Sequence, residues 1–314
     1  MLAVSSILSL QAAGVAFNVV QLAGGSFQMG SRQLGQDPRR VSVGQFGFME
    51  THVVNELMDA YIGDMRGMTY GMVGFRKQGQ GFVLGRTDPR AKEKRDTKVL
   101  DSARRYLSEM HSLHQDSLVP PRDRYESAAR TEDGKPAELF NGPRHPAVLV
   151  NWFQGLGFAQ WLSEQTGKTF YFPTEAQWEY AVKAGAIDVS LPSLARDVRI
   201  HWQARATASV DREVAYVNEY RIRDPIGNAW VWTSTWRGPY SREDTADPLG
   251  SPEGYTRILR GASWMTANED RNGGRIQLHP SFRGFGRPYY MKYNIGVRLS
   301  MAVDPERDPY LRPR

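Results

Sequence analysis

Residues 151–185 restrict the possible folds more than any other stretch of this chain. Asn151 stands three residues before Gln154, and Thr174 three before Gln177. Each pair spells a capping box, in which a side-chain oxygen takes an orphan helix N–H and the amide returns the bond. The first box opens a helix carrying Trp152, Leu156, Ala159 and Leu162 at helical spacing, and Gly167 ends it. The second opens a shorter helix that runs to about Ala184 and stops at Gly185. Between them, Thr169–Phe172 reads as a short strand closed by Pro173. Elsewhere the periodic segments are brief. Val19–Leu22 and Ser26–Gly30 read as a hairpin turned by Gly24-Gly25. Phe46–Met49 reads as a strand, followed by a helix over Asn55–Ile62. The stretch from Gly63 to Gly142 is polar and broken by Gly and Pro, with one helical face made by Val99, Leu100, Ala103, Tyr106, Leu107 and Met110.

Composition explains how such short elements can enclose a core. The 8 Trp, 14 Tyr and 13 Phe bury large areas each, while 30 Gly and 18 Pro supply turns. The expected product is one loop-rich α+β domain over residues 18–304, with an insertion at 63–142 and a tail at 305–314. Residues 1–17 are apolar and resemble the apolar part of a secretory signal, although no Lys or Arg precedes them. Ser, Gln and Gly break this segment too often for a transmembrane span, and an ordered segment packed on the domain or on a partner is favoured over a cleaved leader. A place in the bacterial envelope or outside the cell is favoured over the cytoplasm.

Charge and cysteine content exclude several functions. The 40 basic and 34 acidic residues give a net charge of +6, but they are scattered. Neither a basic stripe nor a reader motif is present, so nucleic acid is not an expected partner. The chain has no cysteine, which excludes disulfides, thiolate metal sites, thiol nucleophiles and a lipid anchor on Cys.

Several segments, taken in order, resemble the formylglycine-generating-enzyme (sulfatase-modifying factor) family. They are Gly24–Gly30 and His145–Trp152, then Phe172-Pro173-Thr174-Glu175-Ala176-Gln177-Trp178-Glu179-Tyr180-Ala181. Gly227-Asn228-Ala229-Trp230-Val231-Trp232-Thr233 follows, and then Arg260-Gly261-Ala262-Ser263-Trp264 with Asn294–Arg298. The resemblance implies an irregular C-type-lectin-like fold over about residues 18–302. It also implies a chemistry that this chain lacks. Family enzymes use two cysteines shortly after the "GGSW" motif, and here those positions fall at about Thr266 and Arg271. Neither residue is a soft copper ligand or a thiol nucleophile.

The remaining implications are expectations. The family's calcium site would fall on Asp224, Gly227 and Ala229, weakened because Val231 stands where the family has Glu. Calcium is thus the one cofactor that the resemblance implies. Relatives making sulfur-containing histidine derivatives bind iron through three histidines. Here the histidines are 52, 111, 114, 145, 201 and 279, and the iron relatives' His-x3-His-x-Glu arrangement is absent. Glu175 and Glu179, at i and i+4, could act as acid and base or could complete the structural signature. The segment between the last two motifs is rich in recognition chemistry, with Arg271, Arg275, His279, Arg283, Arg287, Tyr289, Tyr290 and Tyr293. In lectin-like variable proteins of diversity-generating systems this stretch is the binding surface. Other non-enzymatic relatives are ring components of secretion machinery with a long insertion before the His145 segment. The leading expectation is a binding or assembly protein with a protein partner. The alternatives are a cysteine-independent metal-dependent oxidase or hydroxylase, and a lectin-like receptor-binding protein.

Overall fold

The computed structural model describes residues 6–64, 73–78, 81–86, 137–186, 191–240, 245–266, 271–306 and 308. Its N-terminal segment is part of the main sheet. Strands β1 (Ser6–Ala12) and β2 (Val15–Leu22) pair antiparallel, with Ser6 opposite Gln21 and Ala12 opposite Val15. The loop joining them is Ala13-Gly14, with φ of 46° and 83°. Positive φ at both central residues is the twist that a tight hairpin requires. β2 then pairs with β5 (Phe46–Met49), β5 with β13 (Ser300–Met301), and β13 with β8 (Phe170–Tyr171). The boundary expected at residue 18 is therefore corrected, because it falls inside β2. Residues 6–17 supply an edge strand and the start of its neighbour.

The hairpin expected across Gly24-Gly25 is corrected as well. β3 (Gly25–Met29) turns away from β2 and pairs with β4 (Arg39–Val43) in a separate two-stranded sheet. Gly24 makes the turn with φ of 77°, and a Cβ there would lie 2.4 Å from the carbonyl oxygens of Val43 and Gly44. The close backbone approach, as much as the dihedral, demands glycine.

Three helices follow the sequence reading closely. α1 spans Asn55–Asp64, α2 Trp152–Thr166 and α3 Glu175–Lys183. Both capping boxes form, with Gln154 N donating to Asn151 Oδ1 at 2.9 Å and Gln177 N to Thr174 Oγ1 at 3.1 Å. Gly167 closes α2 in the left-handed region, and Ala184 does the same for α3. A further short helix, α4, spans Leu191–Arg196. In the insertion, β6 (Val73–Gln78) and β7 (Gly81–Arg86) form a hairpin, and β7 lies against α2. The helix expected around residues 99–110, with His111 and His114 after it, lies outside the described residues.

The second main sheet has the order β11-β10-β9-β12, made of Gly284–Gly286, Arg257–Arg260, Trp230–Trp236 and Ile295–Gly296. Rings of β9 lie under the glycines of β11: a Cβ on Gly284 would meet Trp230 at 3.1 Å, and one on Gly286 would meet Trp232 at 3.0 Å. Aromatic residues fill the space between the two sheets and α2. Trp152, fully buried, stacks on Phe172 at 5.7 Å. Arg257 lies between the rings of Trp152 and Trp236, at 4.0 and 3.4 Å, and donates to Ser234 O. A guanidinium between two indoles is partly compensated for lost water by the ring faces. Among the described residues, no helix is long and apolar enough to cross a membrane.

Candidate functional site

Glu175 and Glu179 are not available for acid–base chemistry. α3 carries both into the interior, where Glu179 is fully buried and Glu175 nearly so. Arg260 meets Glu179 at 2.5 Å and Glu175 at 3.2 Å, Lys183 meets Glu179 at 2.8 Å, and Arg283 meets Glu175 at 2.6 Å. Ser281 Oγ and Gly30 N also donate to Glu179, and Tyr240 Oη donates to Glu175. Burial alone would raise the Glu179 carboxyl, but Arg260, Lys183 and these hydrogen bonds bring it down to about 2. Burial alone would lower Arg260, yet the two carboxylates outweigh it and hold the guanidinium above its ordinary value. A carboxylate fixed in its ionised form by two cations is a poor acid and a poor base at neutral pH. The network is a structural joint between α3, β10 and the segment before β11.

The described histidines are likewise engaged. His52 is buried, with Nδ1 3.1 Å from Arg298 Nη2 and Nε2 2.9 Å from Ala229 O. Arginine can only donate, so Nδ1 accepts and Nε2 carries the hydrogen bonded to the carbonyl. Burial, and then the Arg298 charge, push His52 well below its ordinary value. Arg298 itself is buried, has no carboxylate salt bridge among the described residues, and donates to the carbonyls of Met49, Glu50, Arg223 and Asp224. His201 Nε2 donates to Ala206 O at 2.8 Å, and His145 Nδ1 lies 3.1 Å from Thr207 Oγ1. Burial lowers both, and His201 lowers His145 further. Thr266, at one of the two positions that carry cysteine in the enzymes, is buried; its Oγ1 accepts from Ser263 N and donates to Gln277 Oε1.

The Arg- and Tyr-rich segment divides. His279 is buried and its Nδ1 accepts from Ser281 N, so its expected place on a binding surface is corrected. Tyr293 is buried against Phe140 at 4.7 Å and is a core ring. Arg283 faces Glu175 and the carbonyl of Gly238. Arg275, Arg287 and Tyr290 are exposed, Tyr289 is half-buried, and the side chain of Arg271 lies outside the described ones. Arg287 donates to Tyr289 Oη at 2.5 Å, and the Tyr289 and Tyr290 rings meet edge to face at 5.5 Å.

Sequence reasoning missed Arg237 and Tyr255, which extend this surface beside Phe285. Arg237, just after β9, lies 3.8 Å over the ring of Phe285, which is 50% exposed on the edge strand β11. Arg237 N bonds Thr256 O, which places Arg237 beside Tyr255, a ring 88% exposed. Arg237 and Tyr255 flank the turn between β9 and β10, and β10 carries the turn to β11. The signal available in the sequence was an aromatic and a cation in a Gly- and Pro-rich connection, with no apolar strand pattern to bury them.

The residues implicated in calcium binding do not fit the ion as they stand. Both oxygens of the Asp224 carboxylate receive Arg212 hydrogens, at 2.5 Å each, and Oδ2 also accepts from Asn228 Nδ2 at 3.2 Å. The carbonyl of Ala229 accepts from His52, and Val231 is an apolar core residue. A calcium ion needs about six to eight free oxygen ligands, and the oxygens of Asp224 and Ala229 are already spent on donors.

The geometry defines the class as an α+β, loop-rich fold of small sheets braced by buried ion pairs. The chain belongs to the family of the sulfatase-modifying factor enzyme 1-like domain, whose family model matches residues 9–303. It is 29% identical over 194 residues to a formylglycine-generating enzyme of Streptomyces coelicolor, covering 56% of this chain and 58% of that protein. It is 30% identical over 203 residues to hercynine oxygenase of Mycolicibacterium smegmatis, covering 59% of this chain and 44% of that one. This chain thus spans about half the length of these curated relatives. Among solved structures, Treponema denticola variable protein 1 shares the fold, with a TM-score of 0.60 and 18% identity over 94% of this chain and 98% of that one.

Proposed function

We propose that this chain is a non-catalytic member of its family that captures an acidic protein partner on the surface of Tyr255, Arg237, Phe285, Arg287, Tyr289 and Tyr290. One observation carries the reading: these side chains form a run of cations and rings at a sheet edge, and none of the six is a carboxylate. Arginine beside aromatic rings is the composition of interface hot spots, because each offers contact area and directed donors together. The absence of cysteine supports the non-catalytic part, as does the ion-paired state of Glu175 and Glu179. The test compares wild type with Arg237→Ala/Tyr290→Ala in chemical cross-linking from the native host. Loss of a specific acidic protein with unchanged thermal unfolding supports the proposal, and retention of every adduct refutes it.

A second reading, a cysteine-independent metal-dependent oxidase, is supported by the relative named hercynine oxygenase and by His145 and His201, which lie close enough to interact. Metal analysis of protein purified from its host decides between them. Stoichiometric iron or copper, lost together in His145→Ala, favours the oxidase.

A further inference from the structure

The loop at residues 221–228 presents one buried carboxylate, that of Asp224, to a cation. Arg221, Asp224, Gly227 and Asn228 all have positive φ, at 66°, 45°, 86° and 61°. Three of these are not glycine, a strain that persists only where surrounding contacts hold it. Asp224 is 1% exposed at its side chain, so its charge needs a partner inside the protein. That partner is Arg212, which comes from a separate turn and brings two hydrogens to the carboxylate. The same guanidinium donates to the carbonyl of Ser209 at 3.1 Å and lies 3.4 Å from that of Arg199. Its neighbours are thus a carboxylate and two peptide carbonyls, an all-oxygen set of the kind that hard divalent cations take.

We propose that the Arg212 guanidinium is the resident cation of the 221–228 loop, standing in for a divalent metal ion, so that the fold is independent of calcium. The surrounding bonds agree. Arg223 donates back to the carbonyls of Val210 and Arg212, and Arg298 donates to the carbonyls of Arg223 and Asp224. The 209–212 turn and the loop are therefore tied together from both sides, and the guanidinium joins them through charge at Asp224. A guanidinium suits this place because its planar fork matches a carboxylate with two parallel bonds, which an ammonium does not. The inference is independent of any partner at the β11 edge.

Thermal unfolding of the purified full chain, with EDTA and with about 5 mM calcium chloride, tests it. Wild type should melt at one temperature under both conditions. Arg212→Ala should melt roughly 5–10 °C lower in EDTA, and calcium should recover a good part of that loss. Arg212→Lys should lose less than Arg212→Ala, and Arg212→Ala/Asp224→Asn should not respond to calcium. A wild type that loses stability in EDTA overturns the proposal, because a metal would then be resident. So does an Arg212→Ala protein that melts like wild type. An Arg212→Ala protein that is destabilised but unmoved by calcium also overturns it, since the guanidinium would then fill a hydrogen-bonding place and not that of a cation.

Discussion

The molecule uses arginine in two opposite ways, in the interior and along the β11 edge. Inside, Arg257, Arg260 and Arg298 are each 0–1% exposed and each donates to main-chain carbonyls. At the edge, Arg237 and Arg287 lie on exposed or half-buried rings. Both groups sit beside aromatic residues, so composition cannot separate them. What separates them is the supply of backbone oxygen. A fold with few long elements leaves many loop carbonyls without a helix or sheet partner, and a buried guanidinium, with its five donors, can satisfy several at once. Interior arginines therefore act as cross-links between loops, whereas the edge arginines lie over rings at the surface.

The comparison is sharpest where removal should cost most. Glu179→Gln leaves Lys183 without its ionised partner and Arg260 with Glu175 alone, and should destabilise the fold by about 3–5 kcal/mol in denaturant unfolding. A loss under about 1 kcal/mol would mean the network is dispensable. Because Glu179 is held at about 2 in the folded chain, its contribution is complete above the ordinary carboxylate range and disappears as pH falls from about 4.5 to about 2. Glu179→Gln should flatten that part of the stability–pH curve.

Arg298→Lys comes next. One ammonium cannot reach the carbonyls of Met49, Glu50, Arg223 and Asp224 together, so unsatisfied buried oxygens should cost about 2–3 kcal/mol. A third prediction concerns His52, whose depressed proton affinity makes the folded chain bind fewer protons than the unfolded one below pH ~6.5. Stability should fall as pH drops through that value, by up to about 1.4 kcal/mol per pH unit, and His52→Gln should reduce the slope. An unchanged slope would assign the acid response to other groups. The smallest effect belongs to the edge. Tyr290→Ala or Arg237→Ala should change stability by less than about 0.5 kcal/mol. A larger loss in either variant would place that residue with the interior group and remove it from the binding surface.

Legibility in the sequence followed the range of the interactions. α2 and α3 were readable because their caps lie three residues away, at Asn151–Gln154 and Thr174–Gln177. The β1–β2 hairpin was not, since its turn is Ala-Gly and not Asn-Gly, and since β2 owes its place to β5, more than twenty residues on. The Gly24-Gly25 turn was recognised, but its direction depends on the carbonyls of Val43 and Gly44. In the candidate site, Glu175 and Glu179 were visible as a pair, while Arg260, which makes them structural, lies 81 residues from Glu179. Arg283, His279 and Tyr293 looked equivalent to Arg287 and Tyr290. Only the packing of α3 and of Phe140 shows that the first three face inward.

β13 sits between β5 and β8 in the larger sheet, although it follows every other described strand along the chain. Without Ser300 and Met301, Phe48 and Tyr171 have no strand to join them, and the sheet remains in two pieces. The larger sheet therefore closes only through pairings between segments far apart in sequence, and β13 is the latch that joins its two pieces.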